Sequence, residues 1–91
     1  MQTMIQQAGR NSFQLFVGSQ EVFVHIAESY ITACVNNGPA HLHKYKVGRT
    51  LPVDRTPMEA LFKLEQSYKS VAVRSALAAL RHYLEDTDIA A

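Results

Sequence analysis

The chain has 91 residues, with nine lysines and arginines against eight acidic residues and a formal net charge of +1. A near-neutral balance excludes a general nucleic-acid coat and a DNA mimic. A chain that can bury only about 64% of its unfolded surface has little room for an enclosed active-site pocket with a supporting shell, so neither an enzyme nor a cofactor or small-molecule substrate is expected.

One domain over residues 11–91 is predicted, preceded by a flexible arm at 1–10 that is polar and ends in Gly9-Arg10-Asn11. The first residues lack the basic and apolar regions of a signal peptide, Cys34 has no partner for an internal disulfide, and no apolar run reaches membrane-spanning length. Cytoplasmic residence away from membranes is the resulting expectation.

Ser12 to Val17 alternates Phe13, Leu15 and Val17 against Ser12, Gln14 and Phe16, a short strand-like pattern interrupted by Phe16. Ser19 can cap a helix, and Phe23, Ile26, Ala27, Tyr30, Ile31 and Cys34 then recur at three- and four-residue spacing. This spacing predicts an amphipathic helix over 20–36, stopped by Asn36-Asn37-Gly38-Pro39. The β-branched Val22, Val24, Ile31 and Val35 are weak helix formers, which leaves a strand over 21–26 as the alternative. Residues 41–47 alternate again, and Gly48-Arg49-Thr50 can turn them into Leu51-Pro52-Val53, giving a small antiparallel hairpin over about 41–53 with Pro52 at an edge.

Thr56-Pro57-Met58-Glu59 combines a capping threonine, a proline at the first helical position and a capping-box glutamate. It opens a helix over 57–85 that is either long or broken, because its apolar stripe changes face. Leu61, Leu64, Tyr68 and Val71 form one stripe; Val73, Leu77, Leu80 and Leu84 form another, about 200° away. An unbroken helix would be about 42 Å long, more than a compact domain of this size spans. Ser67, Lys69 and Ser70 sit where a break would fall. The fold expected is therefore α+β and mostly helical.

Val73, Leu77, Leu80 and Leu84 read either as ordinary core or as the seam of a homodimer, edged by Arg81 and Tyr83, whose side-chain types suit an interface. Lys44, Lys46, Arg49 and Arg55 crowd a turn and its flanks and are candidate phosphate contacts. Lys44-Tyr45-Lys46-Val47-Gly48-Arg49-Thr50-Leu51-Pro52-Val53-Asp54 before a capped helix resembles the wing segment of small excisionase-type winged-helix proteins. That resemblance, over about a dozen residues, implies DNA binding and two short helices upstream of the wing.

Other chemistry is sparse. His41 and His43 share a strand face and with Cys34 or His25 make a weak candidate metal set, set against exposed sheet histidines. Glu21, His25 and Glu28 would share a face of a helix over 20–36, where a carboxylate could orient the imidazole, although a solvated face looks the same. Cys34 falls on the apolar side and reads as an inert thiol. The functional expectation is a non-enzymatic protein-interaction or regulatory adaptor, homodimeric through its C-terminal helix and binding a protein partner; the alternative is a DNA-binding regulator using the basic turn 44–49.

Overall fold

The computed structural model describes residues 2–37 and 48–87. Five strands, β1 (Thr3–Gln7), β2 (Ser12–Val17), β3 (Gln20–Ile26), β4 (Tyr30–Asn37) and β5 (Arg49–Pro52), form one antiparallel sheet in the order β1-β2-β3-β4-β5. Helices α1 (Pro57–Gln66) and α2 (Val71–Thr87) follow. Strands account for 39% and helices for 35% of the described residues, so the architecture is α+β but not mostly helical.

The local chemistry explains the correction. Gly18 and Ser19 join β2 to β3 across the closing pair Val17 and Gln20, and Gly18 takes φ +59°, as the first position of a tight primed hairpin turn requires. Ser19 thus belongs to a hairpin turn and caps no helix. Residues 20–36 form the hairpin of β3 and β4, in register from Gln20 opposite Asn37 to Ile26 opposite Ile31. Its turn is closed by Ala27 N–H donating to the Tyr30 carbonyl at 2.9 Å. The segment expected to be an arm at 1–10 contains β1, paired with β2 from Thr3 opposite Val17 to Gln7 opposite Phe13.

Of the hairpin expected at 41–53, residues 41–47 lie outside the described residues, and β5 pairs with β4, Arg49 standing opposite Ala33 and Leu51 opposite Ile31. Where an excisionase-type protein would carry two helices before its wing, this chain has β3 and β4.

Period-two alternation puts Phe13, Leu15, Val17, Val22, Val24, Ile26, Ile31 and Ala33 on one sheet face, all buried. That face meets Ala60, Leu61 and Leu64 of α1 and Val73, Ala76, Leu77, Leu80 and Leu84 of α2 in a single apolar cluster. At roughly 1.5–3 kcal/mol for each large side chain fully buried, this cluster dominates the stabilisation.

The helices are separate. Thr56 Oγ1 accepts from Glu59 N–H at 3.2 Å to cap α1, and Ser67 ends it, its hydroxyl donating to the Leu64 carbonyl at 2.6 Å. Ser70 Oγ then accepts from Val73 N–H at 3.3 Å at the start of α2. The break at 67–70 lets Leu61 and Leu64 of the first stripe and Val73, Leu77, Leu80 and Leu84 of the second face the same sheet, while Val71 is left 68% exposed; the radius of gyration, 12.2 Å, is that of a compact domain. No helix among the described residues is long and apolar enough to cross a membrane.

Candidate functional site

The stripe considered as a homodimer seam is core. Val73, Leu77, Leu80 and Leu84 are at most 2% exposed inside a single chain, because the break between α1 and α2 folds their face onto the sheet. Tyr83 packs edge-on against Phe13, ring centroids 6.3 Å apart. Arg81 ties the helices together: its Nε donates to Glu65 Oε2 at 3.2 Å, its Nη1 lies 3.8 Å from Glu85 Oε1, and its guanidinium covers the Phe62 ring at 5.2 Å. Val73, Leu77, Leu80 and Leu84 are thus buried within the single chain, while Arg81 and Tyr83 keep part of their surface exposed.

The candidate phosphate contacts are only partly visible. Lys44 and Lys46 lie outside the described residues. Arg49 opens β5 and Arg55 lies three residues beyond its end, both exposed, and Arg49 rests its guanidinium over the Tyr68 ring at 4.8 Å. Tyr68 donates to the Ala33 carbonyl over a long 3.4 Å. Burial pushes the Tyr68 phenol above its ordinary 10.0, with Arg49 pulling it back and Cys34 adding to the rise.

The remaining sequence candidates do not assemble. In β3, Glu21 and His25 stand four positions apart, about 13 Å along a strand, and Glu28 is exposed in the turn beyond. His25 Nδ1 instead shares a hydrogen bond with Ser12 Oγ at 2.9 Å, and buried Glu21 accepts from Gln14 Nε2 at 3.1 Å. Among the described residues no group of three or more His, Cys, Asp or Glu could hold a metal ion; His41 and His43 lie outside them. Cys34 is half-buried in β4. An open cleft of about 240 Å³ lies between the helices, lined by Glu65, Val71, Arg74, Ser75 and Ala78.

What sequence reasoning missed is the sheet edge. Ala8 N–H donates to the Ser12 carbonyl at 2.8 Å, which continues the β1-β2 ladder. Since backbone groups alternate sides along a strand, Met4 and Gln6 bond to β2, while Thr3, Ile5 and Gln7 direct N–H and C=O groups outward. No described strand covers that edge. Sheet edges are ordinarily blunted by charge, proline or a bulge; Thr3-Met4-Ile5-Gln6-Gln7 has neither charge nor proline, and its pairing is unbroken in register. Met4 is 69% exposed. The opposite edge differs. The same alternation, fixed by Val53 N–H donating to the Ser29 carbonyl at 3.0 Å, turns Thr50 and Pro52 outward in β5, and Pro52 has no N–H to offer. The signal available in the sequence was the lack of any charged residue or proline in residues 1–8.

No known protein family, curated protein or solved structure matches the chain significantly.

Proposed function

We propose that this chain is a small non-enzymatic protein-interaction module, resident in the cytoplasm, that acts as a homodimer. The observation that carries the reading is the uncharged edge of β1, covered by no other strand among the described residues, whose outward backbone groups are a ready template for another strand. The free Cys34 thiol suits a reducing compartment. With the α2 stripe consumed by the core, association falls to the sheet. Light scattering at low and high salt tests this: a mass twice that of the chain, unchanged by salt, is expected, and a monomer at all concentrations sinks it.

The second reading, a DNA-binding regulator, draws support from Arg49 and Arg55, both exposed residues near the basic sequence 44–46. It predicts duplex binding that weakens steeply with salt and is lost on replacing Lys44, Lys46 and Arg49 by alanine. Binding indifferent to both would remove it.

A further inference from the structure

We infer that the partner at the β1 edge is β1 of a second copy, paired antiparallel about a two-fold axis through Ile5. This rests on the homodimer reading above and specifies its contact. An axis at Ile5 sets Ile5 opposite its own copy and Thr3 opposite Gln7. These are the three residues whose N–H and C=O groups point outward, so every outward group of β1 finds a complementary one and the two five-stranded sheets become continuous.

Three features favour a second copy as occupant. An uncharged strand meets itself without like-charge repulsion, which a charged edge could not do. Ile5 is half-buried against the core on the helical side of the sheet, so the axis joins one core to the other through an isoleucine pair. The Thr3 hydroxyl oxygen is buried with no hydrogen-bond partner. The hydroxyl is turned inward in the single chain, and a χ1 rotation of Thr3 on pairing would offer it to Gln7 of the second copy, an amide whose nitrogen already donates to the Arg10 carbonyl at 3.1 Å and whose oxygen is free to accept.

The register makes a prediction that no other dimer shares. Met4 of one copy stands opposite Gln6 of the other in a non-hydrogen-bonded pair, with Cα atoms about 4.5 Å apart. Met4 faces its own copy only across a diagonal of about 7–8 Å, beyond the roughly 6.8 Å that a disulfide spans. In a Cys34→Ser background, Met4→Cys and Gln6→Cys proteins are oxidised mildly, singly and mixed, and light scattering is run alongside. A covalent dimer from the mixture, and none from either variant alone, is the expected result. A light-scattering dimer with no mixed crosslink, or with equal crosslinking of each variant alone, overturns the β1 pairing and leaves the homodimer reading intact. A monomer overturns both. As a check independent of oxidation, Met4→Lys with Gln6→Lys places like charges across the pair on exposed positions. It is expected to halve the mass while preserving the melting cooperativity of the fold, and an unchanged mass overturns the pairing.

Discussion

Tyr68 shows how one side chain joins distant parts of the chain. It hydrogen-bonds to β4, carries Arg49 of β5 on its ring and sits in the connection between the helices. Its phenol is neutral until deprotonated, so a pKa raised by burial stabilises the fold fully below pH 10.0, and that contribution is lost as pH rises through the elevated folded value. Alkaline unfolding is therefore expected to weaken in Tyr68→Phe. Arg49→Ala is expected to raise the phenol further, followed by tyrosinate absorbance against the Tyr68→Phe background. Gly48 carries a different constraint. A Cβ there would fall on the Ala33 carbonyl and within 2.7 Å of Cys34 Sγ, so Gly48→Ala forces β4 and the start of β5 apart. A loss of about 1–3 kcal/mol by denaturant titration is expected. At Glu65, 8% exposed, Arg81 supplies the compensating charge. Arg81→Met removes it and is expected to cost about 2 kcal/mol, below the roughly 3–5 kcal/mol of a fully buried pair because both side chains retain some solvent.

Among the elements, the capped helix start was legible because its determinants are local: Thr56, Pro57 and Glu59 act within one turn, and the accepting hydroxyl sits where that pattern requires. Thr56→Ala is expected to cost about 1 kcal/mol. The change of face at Ser67 to Ser70 was equally legible as an anomaly, although the serines that end one helix and cap the next gave no glycine or proline to force the break. The β3-β4 hairpin was misread for a physical reason. Its inward set, Val22, Val24 and Ile26, alternates strictly, but Phe23 and Cys34 on the opposite face are apolar as well, and the two sets merge into apparent helical spacing. The Glu28-Ser29 turn contains no glycine, proline or asparagine to mark it. The run of β-branched residues was the better guide, since valine and isoleucine suit a pleated surface and lose rotamers in a helix. Leu77 and Leu80 were named as seam or core, and pattern alone could not choose, because both uses bury the same stripe. Leu80→Ala is expected to cost about 2–5 kcal/mol in stability without changing the mass of the folded protein.

For the whole molecule, the assembly proposed at β1 is of modest strength. Backbone hydrogen bonds contribute about 0.5–1.5 kcal/mol net each, and the loss of free tumbling on association costs roughly 4–15 kcal/mol. A ladder of this length with one isoleucine pair therefore gives a dimer that dissociates on dilution. Its melting temperature is expected to rise with protein concentration, by mass action, and a concentration-independent melting curve for a protein that scatters as a dimer would contradict that balance. Pro52 acquires a further meaning on this scale. Two competent edges on one sheet would give each molecule a valence of two and allow open-ended growth of sheets. With Pro52 removing a donor from the far edge, only Thr50 offers an outward N–H among the four residues of β5, so that edge is a poor template and the valence is effectively one. A proline at the rim of a four-residue strand thus acts as a chain terminator: Pro52→Val is expected to turn a closed pair into filaments whose scattering grows with time.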